Sequence, residues 1–303
     1  MDFTKIIPMK VIGLDIGFGH TKVVYDEGKF KFPTWIAFWI STGVEDVKPI
    51  EYEGAYYVVG EKARFSGKRI EIAGIDELIK YYPLITKYVL EQLGIPPKKA
   101  MVITGLPPGY AERGRELTKI FSSMGIKSVI VFQGFGICYD VMEQFPSGLI
   151  IDIGFNTVDY LSYSVEEGRL IKELSGTIPN LGVITAVSIF RDLLPAQKGV
   201  LKTKPLSGLV NIFLEGKWRG EDLSQYKEKA LIQWNEIIKA RLRQELGILY
   251  GEKSDLIVAG GGAYLVRPEV FSADDNAPME VYIPPEPEYS NARGYYKLGV
   301  NNG

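Results

Sequence analysis

Residues 15–22 read Asp-Ile-Gly-Phe-Gly-His-Thr-Lys, and residues 152–159 read Asp-Ile-Gly-Phe-Asn-Thr-Val-Asp. Each stretch follows one apolar run and leads into another, so each is predicted as strand, turn and returning strand. Glycines in such a turn let main-chain N–H groups approach an anion with no Cβ in the way. Lys22 on the returning strand adds a positive charge suited to a phosphate. Asp15 can hold a hydrated Mg2+ directly or through water. Asp152, Gly154, Asn156 and Thr157 offer similar parts from a second hairpin, 137 residues further on, about one domain length. Two such hairpins facing each other would clamp a polyphosphate. A lone D-x-G-x-G also occurs as an ordinary turn; its repetition at domain spacing argues for a site.

A third glycine cluster, Gly260-Gly261-Gly262, follows the apolar run Asp255 to Ala259. It is neither a P-loop nor a dinucleotide fingerprint, which would need G-x-x-x-x-G-K-[ST] or G-x-G-x-x-G with an acidic residue ~20 positions on. It suits close approach of a nucleoside or phosphate to the backbone, or tight packing of helix on strand. The composition narrows the remaining chemistry. One His and one Cys exclude a multi-histidine metal cage, a disulfide framework and a four-cysteine zinc site. Thirty-five basic against 37 acidic residues, with no basic block, argue against direct nucleic-acid binding. The N-terminus lacks a leader pattern and no run reaches the ~18 apolar residues of a membrane span, so a soluble cytoplasmic protein is expected. Glycine, 33 of 303, stands well above the usual ~7%.

The elements that must carry these turns follow from pattern. Helices are expected over Asp76 to Leu93, interrupted at Pro83, and over Glu112 to Met124, Phe135 to Gln144, Ile184 to Leu194, residues 225–250 and Asn291 to Leu298, the last capped by Ser290. Strands are expected at Ala100 to Thr104, Ser128 to Phe132, Arg169 to Ile178 and from Asp255. The αβ alternation implies parallel pairing. In 225–250, Leu231, Trp234, Ile238, Leu242, Leu246 and Leu249 share one face. Cys138 reads as a small buried hydrophobe. The run from Phe32 to Ile40, with Trp35, Phe38 and Trp39, reads as the core of a small subdomain, part of which could serve as an interface anchor. Residues 195–225 carry no motif.

Taken together, the ordered motifs resemble the superfamily of actin, heat-shock-chaperone and sugar-kinase ATPases, and within it the plasmid-segregation actins of the ParM/StbA type and archaeal actin-like proteins. The resemblance spans nearly the whole chain: the Asp15 to Lys22 hairpin, Gln133-Gly-Phe-Gly-Ile, the Asp152 to Asp159 hairpin, Asn180-Leu-Gly182-Val, Gly260 to Gly262, and Asn291-Ala-Arg-Gly294-Tyr-Tyr-Lys. It implies an α/β actin-like fold of two related ribonuclease-H-like domains, with small inserted subdomains and an interdomain nucleotide cleft. Residues 1–146 with a returning helix 289–303 would form one domain and residues 147–288 the other.

The resemblance further implies ATP (or ADP) and Mg2+ as cofactors, with Asp15 and Asp152 holding the metal through water. Asp15, Gln133 and Asp152 would be the catalytic residues, Gln133 positioning water, since an amide is no strong base. The nucleotide would lie against Gly17, Phe18, Gly19, His20, Thr21 and Lys22, against Gly154, Phe155, Asn156 and Thr157, and against Gly182, Gly260, Gly261 and Gly262. Within that set the His20 side chain reads as a polar turn residue. The implied activity is slow ATP hydrolysis coupled to head-to-tail filaments of the protein with itself, for DNA segregation through an adaptor protein or as a cytoskeleton. The competing readings are a sugar or acid kinase of the same fold, for which no acceptor signature is seen, and a non-hydrolysing nucleotide-binding scaffold. No peptide-binding domain follows the ATPase core, which disfavours a chaperone.

Overall fold

The computed structural model describes residues 9–40, 48–66, 68–72, 74–110, 112–167, 169–272 and 278–302. The opening Met1 to Lys5, where a leader pattern was sought, lies outside them. The chain divides into two units, Met1–Asp140 with Asn291–Gly303, and Val141–Ser290. The sequence places these boundaries after residues 146 and 288; the helix expected from Phe135 to Gln144 ends at Val141.

Unit 1 opens with β1 (Lys10–Ile16), β2 (His20–Tyr25) and β3 (Gly28–Pro33). There follows an inserted four-stranded sheet of β4 (Ile36–Phe38), β5 (Ile50–Tyr52), β6 (Ala55–Val59) and β7 (Arg69–Ile70). Then come α1 (Ile75–Lys80), α2 (Tyr82–Leu93), β8 (Ala100–Leu106), α3 (Arg113–Ser123), β9 (Lys127–Phe132) and α4 (Phe135–Val141). The main sheet has the order β3-β2-β1-β8-β9; β1 pairs antiparallel with β2 and parallel with β8, as β8 does with β9. Side chains alternate across β1. Ile12, Leu14 and Ile16 enter the core under α2 and α3, while Val11 packs with Met101, Ile103 and Tyr295 on the other face.

Unit 2 repeats this plan with β10 (Ser147–Ile153), β11 (Thr157–Glu166), β12 (Arg169–Pro179) and α5 (Val183–Leu193). Residues 195–225, motif-free in sequence, hold α6 (Gly199–Lys202), α7 (Val210–Glu215) and a short hairpin, β13 (Lys217–Trp218) and β14 (Glu221–Asp222). After them run α8 (Ser224–Leu246), α9 (Ile248–Glu252), β15 (Asp255–Ala259), α10 (Pro268–Ser272) and β16 (Glu280–Tyr282), and α11 (Ser290–Asn302) returns to unit 1. The sheet order β12-β11-β10-β15-β16 matches unit 1 strand for strand, with the same parallel and antiparallel pairings.

The apolar face of α8 is buried as its spacing predicts: Leu231, Trp234, Ile238, Leu242 and Leu246 all enter the unit 2 core, and the Trp234 indole N–H donates to the Leu181 carbonyl at 2.9 Å. The expected single helix is broken, however, at Gly247. Its backbone at φ 55° and ψ −123° leaves the helical region in a way only glycine adopts readily. Leu249 beyond the break is only partly buried. Ser290 is the first helical residue of α11 and not the cap before it, and α11 runs on to Asn302 instead of stopping at Leu298. Among the described residues no helix is long and apolar enough to cross a membrane.

Candidate functional site

In unit 1 the antiparallel register sets Asp15 directly opposite Lys22 and Ile16 opposite Thr21. Side chains opposite each other on one face are neighbours, and Lys22 Nζ meets Asp15 Oδ2 at 3.0 Å in a partly buried ion pair. The turn closes with Gly17 N–H donating to the His20 carbonyl at 3.2 Å. Among the described residues no main-chain carbonyl accepts from the tip amides of Phe18 and Gly19, so both are available to an anion. A Cβ on Gly17 would stand 3.4 Å from Lys22 Nζ, whereas one on Gly19 would meet nothing within 4 Å. The ammonium therefore lies over the turn, and the tip is open.

Neighbouring elements hold this turn in place. Thr34 N–H donates to the Gly19 carbonyl at 3.1 Å, and the Thr21 and Thr34 hydroxyls bond at 3.0 Å in a buried pair. The buried Tyr82 hydroxyl of α2 is shared between the carbonyls of Ile16 and Gly105, at the ends of β1 and β8, and burial pushes its pKa up. Gln133 sits half-buried beyond β9, its N–H donating to the Leu106 carbonyl at 2.7 Å. Cys138 is fully buried, and that burial raises its thiol pKa, which disfavours the reactive thiolate.

His20 lies at the exposed tip. Desolvation first, and then the Lys22 and Lys31 charges, hold its imidazole below the usual value near 6.5. In the free protein these influences favour the neutral imidazole over the imidazolium. We expect His20→Ala to keep phosphate release within about threefold of the parent, the size of effect that removal of a neutral, non-reacting contact has. A loss as severe as that of Asp15→Ala would contradict this assignment.

The unit 2 hairpin repeats the geometry with one change of chemistry. Gly154 N–H donates to the Thr157 carbonyl at 2.9 Å, as Gly17 does to His20. The residue opposite Asp152 is Asp159, where unit 1 has Lys22. Both carboxylates are buried, and the Thr177 hydroxyl donates to Asp159 Oδ1. Two carboxylates thus stand opposite each other on neighbouring strands where unit 1 has an ion pair. Asp159 did not figure among the sequence candidates, although the seven-residue spacing that faces Asp15 with Lys22 also faces Asp152 with Asp159.

Gly182 and the glycine triplet turn out to support this hairpin through packing. The carbonyls of Gly154, Phe155 and Asn156 accept from Val183, Ile184 and Gly182 N–H at 3.0–3.2 Å, so the turn caps the start of α5. A Cβ on Gly182 would press into the Phe155 and Asn156 backbone. Gly260, at φ 82°, leaves room for the Asp152 carboxylate and the Ile153 backbone, and Gly262 for the Ile153 side chain. Of the triplet only Gly261 borders open space. Phe155 and Asn156 are exposed at the tip.

Each hairpin, taken by itself, presents groups that suit a phosphate or a divalent cation. Backbone amides and Lys22 suit the phosphates, and Asp15 and Asp152 suit the cation. Among the described residues no three His, Cys, Asp or Glu side chains converge as a metal cage. A single carboxylate in either hairpin suits Mg2+, which prefers to keep its waters and to bind through phosphates and one or two carboxylates.

Comparison with known proteins agrees with the repeated plan. The family profile described as "Actin like proteins N terminal domain" matches residues 13–132, and that of "Archaeal actin homologue MreB-like, C-terminal" matches residues 150–271. An archaeal actin homolog of Thermoplasma volcanium is 26% identical, covering 95% of this chain and 98% of its own. The crystal structure of an archaeal actin homolog in complex with ADP superposes with a TM-score of 0.70 at 21% identity, covering 97% of this chain and 100% of its own. A subunit of a 15-stranded ParM filament from Clostridium botulinum superposes with a TM-score of 0.73 at 19% identity, again over 97% and 100%.

Proposed function

Because this chain belongs to the actin-like proteins, we propose that it binds ATP with Mg2+ through both hairpins, hydrolyses it slowly and assembles head to tail into filaments. The observation that carries the reading is the duplicated register: the same turn at the same place in two matching sheets, Asp15 beside Lys22 in one and Asp152 beside Asp159 in the other. Relatives of the same fold include one solved with ADP and one solved as a filament.

In this reading Lys22 shifts from Asp15 towards the phosphates, and the Phe18 and Gly19 amides bind phosphate oxygens. Asp15 and Asp152 would hold a hydrated Mg2+ through its waters, and Gln133 would orient the attacking water. When bound, Mg2+ neutralises charge that develops on the phosphates. Phosphoryl transfer through a loose transition state needs chiefly positioning and electrostatics, so a site without a strong base suffices. Gly182 and Gly260 to Gly262 would line the nucleotide by holding the second turn and Asp152. Closure around ATP would favour a heterologous contact that propagates without closing. A cytoplasmic place and a role in DNA segregation through an adaptor complete the proposal.

The test is phosphate release from ATP·Mg2+, with and without a panel of sugar and acid acceptors. We expect slow release, on the order of 1 per second or less, indifferent to acceptor and abolished by EDTA. Stoichiometric phosphorylation of an acceptor would instead assign the fold's kinase activity to this chain.

A further inference from the structure

The turn that carries Gln133 is held from both sides. On one side Gln133 N–H bonds the Leu106 carbonyl at the end of β8, at 2.7 Å. On the other, the next residue, Gly134, donates its N–H to Asn291 Oδ1 of α11 at 3.2 Å in a buried bond. Gly134 has φ 93°, a conformation a side chain would strain, so its amide direction is set by a backbone that glycine alone accommodates. The same stretch of α11 presses on every element around that turn. The Tyr295 ring fills the place a Cβ on Gly105 would take, with Gln133 Cα 3.3 Å from that same point, and Asn291 and Tyr295 together cover Gly136. Asn291 is only 4% exposed.

We infer that Asn291 is a positioning residue for hydrolysis: its side-chain oxygen holds the Gln133–Gly134 turn in the orientation that aims Gln133 at the attacking water. This rests on the reading of Gln133 given above. A buried N–H deprived of its acceptor seeks another partner. Glycine's wide conformational range lets the Gln133–Gly134 peptide leave φ 93° once the Asn291 acceptor is gone, carrying Gln133 with it. An error of about 1 Å in the placement of a water-orienting group costs up to roughly a hundredfold in rate. Asn291 touches no reacting atom in this scheme, so nucleotide affinity is left alone.

The experiment is a double-mutant cycle in the full-length chain, with kcat for phosphate release and Kd for ATP measured separately. Asn291→Ala and the nearly isosteric Asn291→Leu, which removes the acceptor without leaving a cavity, are each combined with Gln133→Ala. Asn291→Asp restores an acceptor at the same position. We expect kcat to fall about 10- to 100-fold in Asn291→Ala or Asn291→Leu, with Kd for ATP within threefold, and Asn291→Asp to recover most of the rate. In the Gln133→Ala background the Asn291 substitutions should have no further effect, because residues acting through one another are not additive. Multiplicative losses in the double mutant, or a loss confined to Kd, would overturn the inference. Undiminished kcat in Gln133→Ala alone would overturn the reading of Gln133, and the positioning role with it; that outcome is visible before any Asn291 variant is made.

Discussion

Asp15→Ala should abolish most hydrolysis while leaving nucleotide binding nearly intact. Asp15 is buried, lies opposite Lys22 in the hairpin register and pairs with its ammonium at 3.0 Å. Removing the carboxylate has two opposed consequences. Water around the metal loses its acceptor, and stabilisation of the developing phosphate charge falls; losing one such preorganised electrostatic contact costs about 100- to 1000-fold in kcat. Lys22, meanwhile, loses the Asp15 carboxylate while still partly buried, and the phosphate chain offers its ammonium a stronger attraction. Kd for ATP is therefore expected to stay within severalfold of the parent or to tighten. Phosphate release and nucleotide titration on the same sample separate these effects. A kcat within tenfold of the parent would remove Asp15 from the reaction, and an equal loss in binding and rate would make it a ground-state contact only.

Gly294→Ala should be among the most destabilising single substitutions in unit 1. A Cβ at Gly294 would fall on the carbonyl of Gly136, and the nearest three atoms are all backbone, so no side-chain rotation relieves the clash. Helix α11 would have to lift from α4, loosening the Arg293 guanidinium's grip on the Asp140 carboxylate and the Asn291 bond to Gly134. Forced overpacking costs typically 1–3 kcal/mol, and a backbone-on-backbone clash belongs at or above the upper end, about 3 kcal/mol. In a unit of this size that lowers Tm by roughly 6–12 °C. Gly19→Ala is the control: its Cβ meets nothing within 4 Å, so stability should hardly change. Thermal unfolding followed by circular dichroism decides, and near-equal Tm values for the two variants would refute the packing account.

What was legible in the sequence was local. Each hairpin is an apolar run, Asp-Ile-Gly-Phe and a second run, and neighbouring residues suffice to specify it. The long face of α8 was readable because a 3.6-residue period over more than 20 residues repeats many times. The inserted sheet was not, because β4 has three residues and β7 two, too few to alternate, and β4 is completed by pairing with β6 and β7 later in the chain. The break at Gly247 was hidden because a glycine can be tolerated inside a helix and apolar residues continue beyond it. At the site, Asp15, Lys22 and Asp152 stood out by type and spacing. Asp159 needed the register as well as the motif, and the contacts of Asn291, Gly136 and Gly294 join segments far apart in the chain that no local pattern links. The glycines divide accordingly: Gly19 and Gly261 border open space, while Gly182, Gly260 and Gly262 are required by packing.

The central claim, that nucleotide state governs self-assembly, is tested most directly by sedimentation of the full-length protein with ATP·Mg2+, ADP·Mg2+ or no nucleotide, over a range of protein concentrations. The account predicts a pellet with ATP·Mg2+ above a critical concentration, a much smaller one with ADP·Mg2+, and none without nucleotide. A protein that binds ATP·Mg2+ yet stays monomeric at every concentration would contradict it.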